Sequence, residues 1–122
     1  MAEQQVSRNE ALQRRLVLFG VAVCQSLRGL PRDPALAHVS AQLIRSATSP
    51  AAHYAEARGA ESRRDFVHKM QLGLKELRES SVWLQFKKEL APDGSRGDSL
   101  ARECGELTAI FVASLRTVRG RR

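Results

Sequence analysis

Apolar side chains recur every three or four residues along four stretches of the chain, a spacing that places them on one face of an α-helix. Segments that contain glycine and proline separate these stretches. The pattern therefore predicts four amphipathic helices, over about Asn9 to Arg28, from Pro34 to about Ala57, over about Arg63 to Leu90, and following Asp98 or Ser99.

Each predicted helix carries a row of apolar residues that would face a shared core. Valine and isoleucine together number 11 and alanine alone 16, so helix formers outweigh strand formers. Short connections force consecutive helices to run in opposite directions, and the predicted fold is all-α, an antiparallel up-and-down four-helix bundle. The predicted core residues are Leu12, Leu16, Phe19, Val23, Leu27, Leu36, Val39, Leu43, Ala47, Phe66, Met70, Leu74, Leu77, Leu84, Leu100, Cys104, Leu107, Phe111, Leu115 and Val118.

Three local signals mark helix boundaries. Asp33 followed by Pro34 is typical of an N-cap and the first helical residue. Ser62 with Asp65 three residues later is a weak form of the capping box. Pro50 removes a backbone donor inside the second apolar stretch, so that helix either bends there or stops and begins again.

Length and composition indicate a single domain. The 122 residues suffice for one core but not for two. We expect a flexible N-terminus over residues 1–8, the bundle over 9–118 and a basic tail over 119–122.

Neither a membrane span nor a secretory signal is predicted. No apolar run approaches the roughly 18 residues that a span requires, and the first ten residues are polar. Cys24 and Cys104 show neither the spacing of a disulfide scaffold nor a CxxC motif. These features favour a cytoplasmic protein.

The middle of the chain contains an ordered series of motif residues. These are the segment QLIRSATS at 42–49, Ala52, Ala55 with Glu56, and the segment SRRDF at 62–66. The series resembles bacterial four-helix bundle proteins first known from reading frames inside intervening sequences of 23S ribosomal RNA genes. The signature of that family is roughly QLRRAxxSxPxNxAEG, followed by a serine, an acid and a phenylalanine.

The chain departs from this signature at several positions, as a divergent member would. Ala51 and His53 stand where the family has proline and asparagine, Ala57 replaces a glycine, and Lys75 with Glu76 replaces a small Gly-Ser pair. The resemblance implies a bundle that assembles into a homo-oligomeric, pentameric ring and has no established enzyme activity. A related basic pentameric bundle serves diversity-generating retroelements, where it works with a reverse transcriptase and RNA.

The chain is strongly basic, with a net charge of +7, and 16 of its 20 basic residues are arginine. Arg64, Lys75 and Arg78 fall within about 60° of one another on a helical wheel and form one stripe. Such a stripe suits phosphate contacts with structured RNA, which require cations but no base-reading geometry. The predicted nucleic-acid-binding residues are Arg63, Arg64, Lys75, Arg78, Arg116, Arg119, Arg121 and Arg122.

Other interpretations of the basic surface stay open. Glu76 and Glu79 lie near the stripe, which is also compatible with a solvated face that only aids solubility. The partner could be a nucleic-acid-processing protein instead of RNA, and a protein-interaction scaffold with no nucleic-acid role is the main alternative function.

Four residues are assigned a structural role. His53 and Glu56 share a helical face and, in the family's motif, are expected to cap or pair across helices with Arg45 or Arg63, while Asp65 belongs to the capping box. Di-iron bundles use two copies of Glu-x-x-His, whereas this chain has one copy in reverse order. No metal or other cofactor is therefore expected.

An enzyme is not predicted. Both cysteines fall within apolar stripes, which is typical of inert buried thiols. The chain has no glycine-rich phosphate loop, GxSxG motif or paired-carboxylate motif, and no small-molecule substrate is evident.

A second set of apolar residues lies off the main stripes and suggests a contact between subunits. Its members are Val17, Val21, Val82, Trp83, Ile110 and Val112. A broader core stripe would explain the same residues, because globular helices often bury more than a narrow seam.

Overall fold

The computed structural model describes residues 2–120, which form four α-helices and, over this range, no strand. Helix α1 spans Ala2–Ser26, α2 spans Pro34–Arg58, α3 spans Arg63–Leu90 and α4 spans Ser95–Arg119. Among these helices, none has an apolar stretch long enough to cross a membrane. The predicted all-α four-helix fold is confirmed.

The helices pack in chain order around one core. Each helix contacts the next one along the chain, and α1 also packs against α4. The α2–α3 contact is the most extensive and the α1–α4 contact the least, while the diagonal pairs make no close backbone approach within residues 2–120. This is the arrangement of an up-and-down bundle.

The first helix begins at Ala2, well before the predicted start near Asn9. Residues 2–8, expected to be flexible, are therefore helical. The segment AEQQVSRN contains strong helix formers and neither glycine nor proline. The Gln5 side-chain amide donates to Asn9 Oδ1 at 3.0 Å, one helical turn away.

The fourth helix also begins earlier than predicted. Gly94 has a φ of 59°, a left-handed conformation that suits glycine, and the helix starts at Ser95. Asp98 lies in the first turn, where the helix dipole favours a negative charge. At the other end Arg119, assigned to a basic tail, is the last residue of α4.

Helix α2 continues through Pro50 without a break, which excludes a stop and restart. The ring of Pro50 is fully buried, so its packing offsets the loss of a backbone donor. Immediately before it, Thr48 Oγ1 donates to the Ile44 carbonyl at 2.7 Å and Ser49 Oγ to the Arg45 carbonyl at 2.6 Å. Bonds of this kind are common where a helix adapts its geometry.

The predicted helix starts of α2 and α3 are confirmed. The Asp33 carboxylate accepts a hydrogen bond from the Ala35 backbone N–H at 2.7 Å. The Ser62 hydroxyl accepts one from the Asp65 N–H at 3.0 Å. After α1, Gly29 has a φ of 79° and turns the chain toward α2.

The core follows the predicted stripes. Of the predicted residues, only Leu12, Leu27, Phe66 and Val118 are half-buried, and the others are buried. Helices α3 and α4 pack closely at Gly73, where an added Cβ would be 2.6 Å from Phe111 Cε2. The buried hydroxyls of Ser46 and Ser80, 3.0 Å apart, form a hydrogen bond that joins α2 to α3.

Candidate nucleic-acid interface

Four of the predicted basic residues line one groove between α3 and α4. Lys75 and Arg78 come from α3, and Arg116 and Arg119 from α4. The groove has a volume of about 760 Å³. Its other lining residues are Gln71, Leu74, Glu79, Val82, Val112 and Leu115. We call it the α3/α4 groove.

Helical spacing explains why the cations converge. Residues three apart lie on the same face of a helix, so Lys75 pairs with Arg78 and Arg116 with Arg119 at the surface. Because Leu74 and Leu115 are buried beside these pairs, core packing holds the two helices with both basic pairs toward one groove.

All four cationic side chains are exposed, and none forms an ion pair with another residue of the described range. The sole acidic residue that lines the α3/α4 groove is Glu79. The positive charge of the groove is therefore not cancelled by its own walls.

The nearby acids are engaged by an arginine of α2. Arg45 Nη1 lies 2.9 Å from Glu76 Oε2, and its Nη2 lies 2.6 Å from Glu79 Oε2. The hydrogen bond with Glu79, followed by the charge of Glu76, raises the pKa of Arg45. The two glutamates that favoured a neutral solvated face thus pair with Arg45 and not with the basic stripe.

Other predicted residues lie beside the groove. Arg63 and Arg64 line a depression at the start of α3, and Gln71 lines both this depression and the α3/α4 groove. The Arg63 guanidinium donates to the Val118 carbonyl near the end of α4, so it anchors one helix to another. Arg121 and Arg122, the last two predicted residues, lie outside the described range.

The pairing expected for the structural motif is wrong. Glu56 Oε2 lies 2.9 Å from Lys69 Nζ, not beside Arg45 or Arg63, and this hydrogen bond lowers the pKa of Glu56. Both arginines have other partners. Arg45 pairs with Glu79 in the middle of α3, and Arg63 donates to the Val118 carbonyl near the end of α4. His53 Nδ1 is buried and has no hydrogen-bond partner in the part of the chain described.

The remaining candidate ligands do not converge. Over residues 2–120, no group of three or more histidine, cysteine or acidic side chains is placed to hold a metal ion. Cys104 is buried, and its thiol donates to the Leu77 carbonyl at 3.2 Å. Burial raises the pKa of this thiol to about 11, which keeps it protonated and unreactive at neutral pH.

Two exposed apolar patches occupy different parts of the bundle. The first comprises Val17 and Val21 of α1, which line a groove against α2, and the second comprises Val82, Phe86 and Leu90 on α3. The other residues predicted for a subunit contact are Trp83, Ile110 and Val112, and all three are half-buried. Trp83 and Val112 pack against the core.

One lysine of α3 is buried, although lysine is usually a surface residue. Lys87 is 2% exposed and pairs with Asp93 in the α3–α4 connection. Its position in the sequence, next to an exposed Lys88, carried no signal for this burial.

Comparisons with known proteins agree with this fold. The family model described as 23S rRNA-intervening sequence protein matches residues 10–113. A crystal structure of a protein of unknown function from the S23 ribosomal protein family of Bacteroides thetaiotaomicron is similar, with a TM-score of 0.79 and 24% identity. The match covers 88% of this chain and 97% of that one. The comparison with curated proteins found no match. The chain belongs to the 23S rRNA-intervening sequence protein family.

Proposed function

We propose that this member of the 23S rRNA-intervening sequence protein family binds structured RNA through phosphate contacts in the α3/α4 groove, as a non-enzymatic cytoplasmic protein. One observation carries the proposal: Lys75, Arg78, Arg116 and Arg119 line the same groove without an acidic partner in the described range. Guanidinium groups bind phosphate oxygens in a bidentate manner, which favours a phosphate backbone as ligand.

Structured RNA fits this groove better than single-stranded RNA. Single strands are held largely by base stacking on aromatic side chains, and no aromatic residue lines the groove. Tyr54 is buried, and Trp83 packs against His38 and Phe86 with ring centroids 5.7 and 5.4 Å apart. A folded or double-stranded RNA presents phosphates and ribose hydroxyls at its surface, and these need no stacking platform.

The RNA proposal is tested by removing the four groove cations together. The variant Lys75→Gln/Arg78→Gln/Arg116→Gln/Arg119→Gln is expected to bind an RNA hairpin at least tenfold more weakly at about 100 mM salt. The slope of log affinity against log salt concentration is expected to decrease in magnitude by about three. Each of the four lost phosphate contacts contributes roughly 0.7–0.9 to that slope. Fluorescence anisotropy at a series of salt concentrations measures both quantities.

A matched control separates the groove from net charge. Arg14, Arg32, Arg96 and Arg102 are exposed and lie outside the groove, and their replacement by glutamine removes the same four charges. This control is expected to retain most of the affinity. Equal losses in both variants would mean that overall charge alone attracts the RNA, and the groove would no longer be the binding site.

We also propose that the bundle forms a homo-oligomeric ring, as the pentamers of the family suggest. The two exposed apolar patches support this, because they lie on α1 and α3 rather than on one face. A contact between two different patches is heterologous, and repeated heterologous contacts form a ring when the rotation from one subunit to the next closes, and an open filament when it does not. A ring would repeat the α3/α4 groove and raise RNA avidity.

Mixing two variants tests the ring. Val21→Glu disables the α1 patch and Phe86→Glu, outside the α3/α4 groove, disables the α3 patch. Each protein alone is therefore expected to be a monomer, because a buried unpaired charge is costly. Mixed together, they retain one intact patch each and are expected to form a heterodimer of twice the mass. Native mass spectrometry measures the species. Persistent oligomers of either single variant, or a mixture that stays monomeric, would contradict this contact.

A protein-interaction scaffold is the second candidate function. The same exposed patches favour it, since they could contact another protein instead of a second copy. Two results together would favour the scaffold: a monomeric wild-type protein, and a fourfold groove variant that binds RNA as tightly as the wild type does.

A further inference from the structure

A second pocket lies between α1 and α4, the pair of helices with the least contact. It has a volume of about 930 Å³, within the size range of small-molecule sites. All four helices contribute to its wall, near the point where α2 ends and α3 begins. None of the residues that line the α3/α4 groove lines this pocket.

Four arginines and no acidic residue line this pocket. Two of the four are committed to helix contacts: Arg15 Nε lies 3.0 Å from Glu103 Oε2, and Arg63 donates to the Val118 carbonyl. The other two, Arg8 and Arg58, have no ion pair with any residue of the range 2–120. Both side chains are exposed, and with no acidic residue in the wall their positive charge favours an anion as ligand.

The remaining wall combines apolar surface with neutral polar groups. Leu12, Phe66 and Ile110 supply apolar surface. Tyr54 and Asn9 also line the pocket, and the Tyr54 hydroxyl donates to Asn9 Oδ1 at 3.2 Å. Apolar surface with a few polar groups is the composition of sites that hold an organic molecule and orient it.

We propose that this pocket binds an organic phosphate of the size of a nucleoside monophosphate. The phosphate lies between Arg8 and Arg58, whose guanidinium groups match its oxygens. The planar, partly apolar body lies against Phe66 and Leu12, where ring stacking and burial stabilise it. This site is separate from RNA binding in the α3/α4 groove.

Isothermal titration calorimetry of the full chain with AMP, adenosine and inorganic phosphate tests the proposal. AMP is expected to bind at least tenfold more tightly than either fragment, because only AMP uses both halves of the pocket. The pair Arg8→Gln/Arg58→Gln is expected to weaken AMP binding at least tenfold. Phe66→Leu is expected to weaken AMP binding while leaving phosphate binding unchanged.

Control variants distinguish this pocket from charge effects and from the groove. Arg14→Gln/Arg102→Gln removes two exposed arginines elsewhere and is expected to leave AMP binding unchanged, as is the fourfold groove variant. Absence of AMP binding at about 5 mM would overturn the proposal. So would a loss of AMP affinity in Arg14→Gln/Arg102→Gln equal to that in Arg8→Gln/Arg58→Gln. The proposal would also be overturned if inorganic phosphate bound as tightly as AMP, or if the fourfold groove variant lost AMP binding.

Discussion

Asp93→Ala is expected to lower the free energy of unfolding by about 3–5 kcal/mol, because it leaves a buried ammonium group without its partner. The Lys87 side chain is 2% exposed, and its Nζ pairs with the Asp93 carboxylate, which is itself 23% exposed. Removal of one partner of a buried pair costs more than removal of both, since the remaining charge has lost its water as well as its counterion.

Urea denaturation followed by circular dichroism measures this loss. The double variant Lys87→Met/Asp93→Ala is expected to recover most of it, because no buried charge is left. The exposed pair Lys88–Asp98, 3.7 Å apart, provides the control, and Asp98→Ala should cost less than about 1 kcal/mol. A loss for Asp93→Ala no larger than that for Asp98→Ala would mean that Lys87 reaches water.

Leu77→Ala is expected to destabilise the bundle by about 2–5 kcal/mol. Leu77 is 0% exposed at the centre of α3, where its carbonyl also accepts the Cys104 thiol of α4. Truncation removes buried apolar surface and leaves a cavity that the packed helices fill only in part.

The same denaturation experiment measures this effect. Leu18→Ala is the matched control: Leu18 is 47% exposed on α1 and belongs to neither apolar patch, and its truncation should cost less than about 1 kcal/mol. A loss below about 0.5 kcal/mol for Leu77→Ala would contradict the placement of this side chain in the core.

Local features of the sequence predicted much of the fold. The Ser62 cap and the apolar spacing placed α3 at Arg63–Leu90, where the structure has it. Local rules failed where tertiary packing or an unusual backbone prevailed. Pro50 could not decide between a bend and a restart, whereas α2 runs through it without a break, and Gly94 starts α4 several residues early.

The candidate groove was predictable only in part. Arg64, Lys75 and Arg78 share a stripe because they belong to one helix, whose geometry is known from spacing alone. Arg116 and Arg119 belong to α4, and they line the same groove only because of the way α3 and α4 are rotated about their axes. Core contacts such as that between Gly73 and Phe111 determine this rotation.

The sequence by itself determined the four helices, their buried faces and the family to which the chain belongs, because periodicity, caps and motif residues are local properties. Only the tertiary structure decided which charges meet. Arg45 engages Glu76 and Glu79, Lys69 engages Glu56, and Lys87 is buried with Asp93. Such pairs depend on the register and rotation of helices in a packed core, and no spacing along one helix contains that information.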